Sequence, residues 1–447
     1  MSRKYHDIRV VLWLGGMFFL VSNTLFAQDI YDIQGDSIKI DKIVIEKNWI
    51  TWNSIIRAEL EFKEGDVVHQ DQINRSIDKV WNIGNFSDVY YSINKTDTGN
   101  YLTITALDAV KFYPLISIDH SSKEDYNYSL GFVDDNFLGS NTGVNLKWNK
   151  QPIGVSYSFR FSIPRQLLYK NMTLAFGVTV GNEVKRYLDR EITYDDKHRV
   201  ESVAYVPQML SPVDKFECYV HIGNPWHLDD SYRFSPDLSL SYAHHKTNLN
   251  LLSPEEAAFD VELSPFDHSL FSIGVSESMG LINRKRHRLD GYSVGVSYGL
   301  TLGLNPQSPN YQSFGLSAQY HKIFNPIIQF SSRINTGYTT ADIPYRYIGG
   351  GSDVIGLRQG EIYGKLHYSV YTGMHFTWLN KNWLVLENAY FVNWGAGADT
   401  FGKLFSHAPK YSVGTSFKFV APLVPFVFLK ISFMYAGPGS EWYKINF

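Results

Sequence analysis

The feature that most constrains this chain is a two-residue alternation of apolar and polar side chains, which runs from about residue 110 to the C-terminus. In Leu366–Trp378 the even positions are largely apolar, and small or polar side chains stand between them. Tyr411–Phe419 repeats the pattern. Because successive side chains of a strand point to opposite faces, this period indicates strands with one apolar and one polar face.

Helical crossing of a membrane is excluded for the same region. A spanning helix needs roughly 18 uncharged apolar residues, and the nearest stretch, Phe419–Ala436, is interrupted by Pro422, Pro425 and Lys430. A soluble β-sandwich has the same period, but its strands are usually shorter and it rarely needs an aromatic content of 15%. The sequence therefore predicts a mainly β fold, an antiparallel transmembrane β-barrel. At about twenty residues for each strand and its connection, it has about 16 strands.

The N-terminus carries the pattern of a signal peptide. Arg3, Lys4 and Arg9 precede an apolar run over residues 10–21, and small and polar residues follow up to Ala27. We assign 1–27 to the signal peptide, 28–35 to a short linker, 36–109 to a separate small domain and 110–447 to the barrel. A signal peptide followed by a barrel predicts the outer membrane of a Gram-negative type of cell, with lipid around the barrel.

The small domain has a different pattern of apolar and polar residues from the barrel. Residues 38–46 are predicted as a strand, 52–60 and 69–82 as amphipathic helices, and 86–94 and 101–108 as two more strands. Gly65 and Gly84 follow the two helices, as expected of residues that end helices. The domain is thus a compact α+β module of order β-α-α-β-β.

Composition argues against several classes of function. Cys218 is the one cysteine, so no disulfide framework exists, and a net charge of −3 offers no basic surface for nucleic acid. Two overlapping GxSxG matches over residues 291–299 lie in an alternating strand instead of a strand-to-helix elbow. His244 and His245 are neighbours that face opposite sides of a strand and cannot share a metal. We therefore expect no enzymatic activity, cofactor or metal.

The small domain resembles a POTRA domain over Ile40–Val89. The matching positions are Thr51, Ile56, Leu60, Gly65, Asp66, Ile77, Gly84, Phe86 and Val89. The barrel resembles that of the outer-membrane protein insertase and translocase superfamily, which includes BamA and TamA. Asp135–Gly139 reads DNFLG, a motif that the family carries in the turn after the second strand, and residues 412–447 resemble its last three strands.

The family's sixth extracellular loop has the pattern GG…VRGY. The corresponding residues here are Gly349, Gly350, Val354, Ile355, Gly356, Leu357 and Arg358. In the family the Arg anchors the loop to carboxylates inside the barrel, whereas here its position is Ile355, and the matching acidic positions are His375 and Asn393. We expect both in the lumen, with the loop held by apolar packing of Ile355 and Leu357 and by neutral hydrogen bonds. Arg358 paired with lumenal Glu387 is an alternative.

Connections between strands complete the predicted topology. Long extracellular connections are expected at about 188–214, 247–267 and 340–362, and short periplasmic turns at about 164–169, 225–232 and 283–290. Asn283–Arg288 is a basic periplasmic turn, which we expect to be solvated and without a partner. The first and last strands are short, so the seam that closes the barrel is expected to be weak. Its predicted residues are Leu115, Ile116, Ile118, Trp442, Tyr443, Ile445 and Phe447.

The resemblance implies a function in assembly or translocation. The periplasmic module would receive an unfolded outer-membrane or secreted client by adding a strand to a sheet edge, and the barrel would guide it. Periplasmic accessory proteins or chaperones are candidate further partners. Two alternatives stay open: a secretion pore for one dedicated partner protein, and a passive porin or structural barrel, which the missing Arg and acidic residues favour.

Overall fold

The structure is a computed structural model. It describes residues 37–121, 127–150, 154–168, 172–195, 200–223, 226–229, 232–252, 266–285, 288–342, 345, 347–349, 353–381, 383–406, 408–421, 424–438, 440 and 442–446. The predicted signal peptide and linker lie outside these residues, as do Gly350 and Phe447. Residues 38–447 form one compact unit.

The N-terminal module is a three-stranded sheet covered by helices. Its elements are β1 (Ile38–Lys39), β2 (Lys42–Glu46), α1 (Asn53–Arg57), β3 (Val67–Val68), α2 (Gln70–Ile83), β4 (Phe86–Thr96) and β5 (Gly99–Asp108). The sheet order is β2-β5-β4, with β2 parallel and β4 antiparallel to β5, and β1 pairs with β3. Apolar side chains from α2 and the sheet, among them Ile73, Val80 and Leu102, form its core.

The first helix is shorter than the predicted 52–60. It ends at Arg57, and the Glu61 backbone N–H donates to Ser76 Oγ on α2 at 3.1 Å. This tertiary bond takes the chain away from a helical path. Gly84 ends α2 with a left-handed φ of 83°, as its position in the sequence indicates.

The remaining strands form the barrel and a hairpin inside it. The strands of its first half are β6 (Phe112–Ser121), β7 (Asn127–Phe137), β8 (Thr142–Lys150), β9 (Val155–Ile163), β10 (Thr173–Tyr194), β11 (Val200–Gly223), β12 (Trp226–Asp229), β13 (Tyr232–Thr247) and β14 (Asp267–Lys285). The second half contains β15 (Arg288–Gly303), β16 (Tyr311–Ile323), β17 (Ile328–Thr339), β18 (Tyr347–Gly349), β19 (Ile362–Gly364), β20 (Leu366–Asn380), β21 (Val385–Ala398), helix α3 (Phe401–Ser406), β22 (Lys410–Ala421), β23 (Val424–Tyr435) and β24 (Tyr443–Asn446).

Each barrel strand pairs antiparallel with its neighbours, and β24 pairs with β6 to close the ring. β12 extends the β11–β13 hairpin, and β18 and β19 pair only with each other, so the described residues form a barrel of 16 strands. The mainly β fold predicted from the alternation is therefore confirmed. Among the described residues, no helix is long and apolar enough to cross a membrane.

One predicted connection is wrong. Residues 188–214 were expected to be a long extracellular connection, but β10 and β11 pair as far as Tyr194 and Val200. Pro207 and Pro212 lie within β11, and the register shifts opposite Tyr187 and Leu188. A bulge accommodates proline, which has no N–H for the ladder. The other predicted connections coincide approximately with gaps between strands, and 340–362 contains the β18–β19 hairpin.

Candidate functional site

The seam joins the last barrel strand, β24, to the first, β6. It is the shortest pairing between neighbouring strands in the described ring of 16. Three residue pairs join β24 to β6, namely Lys444 with Ser121, Ile445 with His120 and Asn446 with Asp119. Four pairs join β23 to β24, and eight join β6 to β7. Each residue pair contributes ladder hydrogen bonds and side-chain contacts. Separating β24 from β6 therefore breaks fewer of these interactions than separating any other two neighbouring strands of the described ring.

The predicted seam residues lie on both sides of this closure. Leu115, Ile116 and Ile118 lie on β6, before the three β6 residues that form the seam pairs. Their partners are on β7, namely Gly131, Leu130 and Tyr128. Ile116 and Leu130 are exposed on the barrel exterior. In the last strand Ile445 lies within the seam and Tyr443 pairs with Phe433, while the Trp442 carbonyl accepts from the Met434 N–H at 3.0 Å.

A hairpin formed by β18 and β19 folds into the barrel. Val354 and Leu357, in the connection between its strands, are buried with Ile362 and Ala436, and Tyr347 packs against this cluster. We call β18, β19 and the described residues between them the inner hairpin. Its residues contact β10, β20 and β21 of the barrel wall. Gly356 takes a φ of 99°, which explains a glycine at that position of the motif.

The wall is shaped to receive this hairpin. A Cβ on Gly395 of β21 would lie 2.6 Å from the Tyr368 carbonyl oxygen of β20, 3.2 Å from Val354 and 3.3 Å from Ile362. A Cβ on Gly397 would collide with the Tyr363 carbonyl oxygen. The glycines at alternate lumenal positions of β21 therefore provide the space that the hairpin occupies.

Polar contacts hold the ends of the hairpin. The Tyr347 ring stacks on His367 of β20 with centroids 3.4 Å apart. The Arg358 backbone N–H donates to Glu361 Oε2 at 2.6 Å, and Lys410 Nζ of β22 donates to the Glu361 carbonyl at 2.6 Å. Gly349 pairs with Ile362 within the hairpin.

A cluster that sequence reasoning missed lies beside the hairpin, around Tyr345. Its hydroxyl lies 2.9 Å from His268 Nδ1 and 3.3 Å from His245 Nδ1, and its ring stacks on Tyr311. His245 Nε2 in turn lies 3.0 Å from Glu217 Oε1. These side chains come from β11, β13, β14 and β16, so only the closed barrel brings them together.

The inner hairpin and the wall enclose a cavity of about 570 Å³. Its lining includes Ile355 from the hairpin and His375, Glu387 and Asn393 from β20 and β21. His375 Nδ1 lies 3.6 Å from Glu387 Oε1, and Asn393 is 1% exposed. The structure thus places Ile355 and all three predicted lumenal residues around one space, whereas Arg358 lies beside Glu361. A pairing of Arg358 with Glu387 stays a prediction.

The N-terminal module is docked on the barrel through the DNFLG turn. The Trp52 N–H donates to the Gly139 carbonyl at 2.9 Å, and Asn136 Nδ2 donates to Thr51 Oγ1 at 2.8 Å. Asn85 Nδ2 donates to Asn141 Oδ1 at 3.0 Å. The turn is therefore at the same end of the barrel as the module, which gives the motif a structural role.

Asp108 organises this contact from the module side, and sequence reasoning missed it. It is 4% exposed. Its carboxylate accepts from the Ile50 N–H at 2.6 Å, the Thr51 N–H at 3.1 Å and Thr51 Oγ1 at 2.5 Å. A buried carboxylate is stable only when it is well hydrogen-bonded, so Asp108 holds the 50–52 segment in the shape that meets the barrel.

Two further connections of the barrel touch the module. Gln166 Nε2, in the connection between β9 and β10, donates to Glu59 Oε1 at 2.5 Å. Asn82 Nδ2 of α2 donates to Asn283 Oδ1 at 3.0 Å, and α2 packs against β14. The expectation that Asn283–Arg288 is solvated and without a partner is therefore wrong at both ends, because Arg288 is also buried and donates to the Asn325 carbonyl at 2.7 Å and to Thr377 Oγ1 at 2.8 Å. The alternation of apolar and polar residues in β14 indicates a strand, but it does not indicate which turns contact a second domain.

The module also contains a cluster of ion pairs around Glu61. Lys79 Nζ and Arg75 Nη2 lie 2.5 and 3.2 Å from the Glu61 carboxylate. Partial burial of Glu61 raises its pKa, but the hydrogen bonds and charges of Lys79 and Arg75 outweigh this and leave its pKa below the ordinary value of 4.5. Glu61 thus joins the end of the 58–61 segment to α2.

The fold and domain order define a class of protein: an outer-membrane β-barrel of 16 strands preceded by one periplasmic POTRA domain, an architecture similar to that of BamA. Residues 38–106 match the POTRA family, described as surface antigen variable number repeat. In sequence, the chain is 26% identical over 128 residues to the outer membrane protein assembly factor BamA of Neorickettsia risticii (strain Illinois). This match covers 28% of the chain and 17% of the relative, so it spans less than a fifth of that protein's length.

Solved structures show the same fold over nearly the whole chain. BamA from Haemophilus ducreyi lacking POTRA domains 1–3 matches with a TM-score of 0.53 and 14% identity, covering 92% of this chain and 84% of that one. CdiB from Acinetobacter baumannii matches at 0.54 and 13% identity, covering 92% and 74%. CdiB from Escherichia coli matches at 0.54 and 9% identity, covering 95% and 92%.

Proposed function

We propose that this protein assembles client proteins into the outer membrane, or moves them across it, by opening its barrel at the β24–β6 seam. The observation that carries the proposal is the length of that seam, three residue pairs against eight between β6 and β7. Opening exposes the unpaired backbone of two strand edges, and a strand edge is a template for an incoming strand. The BamA relative, a protein named as an assembly factor, supports this choice.

The POTRA domain supplies a second edge, at which we propose that clients first bind. β4 and β2 are the outer strands of its sheet. The β2 edge is occupied near Ile43, whose N–H donates to Glu64 and whose carbonyl accepts from Arg57 Nη2. The β4 edge is occupied at Val89, whose carbonyl accepts from Trp81 Nε1 at 3.1 Å. The rest of this edge, over residues 91–96 and next to the exposed Tyr90, is therefore the better acceptor for an extended client.

Photocrosslinking tests this edge. A photoreactive residue at Tyr90 is expected to capture client chains in cells, and one at Lys42 on β2 is the matched control with much weaker capture. Equal capture at the two positions would remove the reason to assign binding to β4.

The seam is tested by locking it. His120→Cys and Ile445→Cys change two residues that are paired across the seam, and Cys218→Ala removes the native thiol. Ser416→Cys with Ser432→Cys, in the same background, locks β22 to β23, an ordinary hairpin with nine pairs. We expect the seam lock, and not the hairpin lock, to deplete other outer-membrane proteins or to halt growth, with recovery on reduction. If both locked barrels leave cells unaffected, lateral opening is not used and a passive porin or structural role replaces it.

A secretion pore for one dedicated partner is the second candidate. It is favoured by the CdiB structures, which match this chain as well as the BamA structure does. The same locked strains separate the two, because loss of one exported protein with normal levels of outer-membrane barrels indicates the pore.

A further inference from the structure

The lumenal cavity is rich in cations. Its charged lining residues are Arg333, Lys418, Lys430, Lys444, Asp353 and Glu387, four cations against two carboxylates. Glu387 lies opposite Lys418 in the strand register and 3.6 Å from His375. The described lining therefore keeps an excess of positive charge on the wall formed by β22, β23 and β24.

The lysines are arranged unfavourably for the barrel itself. Lys418 and Lys430 are directly opposite each other on β22 and β23, and both line the cavity. Lys444 of β24 lies diagonally from Lys430, since Lys430 pairs with Asn446. Like charges that face each other across strands destabilise a sheet. A local arrangement of this kind is expected where it serves a ligand.

A buried histidine of β16 borders the same space. Ser331 Oγ accepts from Gln329 Nε2 at 3.1 Å and lies 2.9 Å from His321 Nδ1. His321 is 6% exposed, lines the cavity, and its Nε2 has no hydrogen-bond partner among the described residues.

We propose that this cavity binds an acidic peptide segment, whose carboxylates are held by Lys430, Lys444 and Arg333. Leu289, Ile355 and Ala389 add apolar surface to a lining that is otherwise largely polar. A mixed lining fits a peptide that alternates acidic and apolar residues better than it fits a bare inorganic anion. A volume of about 570 Å³ lies in the range of ligand pockets, roughly 300–1,000 Å³. Lys444 belongs to the strand that closes the barrel, so the bound segment lies against the seam. The site does not depend on the proposed assembly function.

The test measures binding of labelled peptides to the purified full-length protein in detergent micelles by fluorescence anisotropy. The probes are an alternating Glu-Ala hexapeptide, with Lys-Ala and Ser-Ala hexapeptides of the same length as controls, and pyrophosphate as a competitor. We expect the acidic peptide alone to bind, with an affinity that falls as salt is added, because charge pairs are screened.

Substitutions locate the site. Lys430→Gln with Lys444→Gln is expected to weaken acidic peptide binding about tenfold or more at low salt. Lys322→Gln is the matched control, since Lys322 is an exposed lysine on β16 that does not line the cavity. Because the double substitution relieves repulsion, the barrel is expected to stay folded, which its heat-modifiable migration on gels verifies.

Three outcomes would overturn the proposal. They are equal peptide affinity in the double variant and the control, no binding of the acidic peptide at low salt, or binding of pyrophosphate without the peptide, which would assign the cavity to small anions. Seam locking leaves this measurement unchanged, so failure of the peptide site and failure of the assembly function are distinguishable.

Discussion

At the scale of single residues, the contact between the POTRA domain and the barrel depends on a few small polar groups. Asp108 shapes the 50–52 segment, Thr51 links it to Asn136, and the Gly139 carbonyl accepts from Trp52. Gly139 has a φ of 79°, a conformation that suits glycine, and a Cβ there would collide with the Ile50 carbonyl oxygen. The DNFLG motif was found by resemblance, but its role was visible only once the two domains were seen in contact.

Gly139→Ala tests this contact. The substituted residue is unfavourable by about 1–2 kcal/mol in the left-handed region and also collides with Ile50, so the POTRA domain is expected to move away from the barrel. Spin labels on the two domains measure the spread of their separation, which is expected to broaden. Gly402→Ala in α3 is the control, because nothing lies within 4 Å of a Cβ there. An unchanged distance distribution in the Gly139 variant would contradict the assigned role of the turn.

Glu61 makes the stability of the POTRA domain pH-dependent. Its pKa is lower in the folded domain than the ordinary value of 4.5, so its contribution is present above about pH 4.5 and is lost as pH falls through the folded pKa. Glu61→Gln is therefore expected to destabilise the domain by about 1 kcal/mol at neutral pH and to have little effect near pH 3. Hydrogen exchange of the α2 backbone in the full-length protein measures the difference. A variant equally destabilised at both pH values would point to lost packing in place of the charge pairs.

At the scale of elements, regular alternation of apolar and polar residues predicted strands correctly where a strand has one lipid face and one lumenal face. The strands of residues 366–380 and 410–421 were recognisable from it. The extensions of β10 and β11 were not, because prolines and clustered charges replace the apolar face there. The inner hairpin was placed by motif, and its partners on β20, β21 and β22 could not be derived, since they depend on how far the loop folds into the lumen.

The inner hairpin is expected to be held mainly by its apolar cluster. Leu357 is 1% exposed, and Leu357→Ala removes buried contacts at a cost of about 2–5 kcal/mol. The hairpin is then expected to leave the lumen for part of the time, which raises the conductance of the protein in planar bilayers. Leu304→Ala, in an exposed position between β15 and β16, is the control. If the two variants conduct alike, apolar packing does not hold the hairpin and the polar contacts of Glu361 take its place.

At the scale of the whole molecule, strong and weak connections are unevenly distributed. The POTRA domain is joined to the barrel at three of its connections, the inner hairpin is packed against the wall, and the seam has three residue pairs. Under the proposed function, we expect such a molecule to open at the seam while the rest of the ring keeps its shape. The short terminal strands were visible in the sequence, but the register that defines the seam required the closed barrel.

Reconstitution of the locked barrel measures whether the seam must open for a client to be inserted. The protein carrying His120→Cys and Ile445→Cys, in the Cys218→Ala background, is placed in liposomes, and the rate at which an unfolded outer-membrane protein becomes inserted is measured before and after reduction. If insertion requires lateral opening, we expect little insertion while the seam is locked and full recovery on reduction, with no effect of the Ser416→Cys, Ser432→Cys lock. Insertion at the same rate with the seam locked would contradict it.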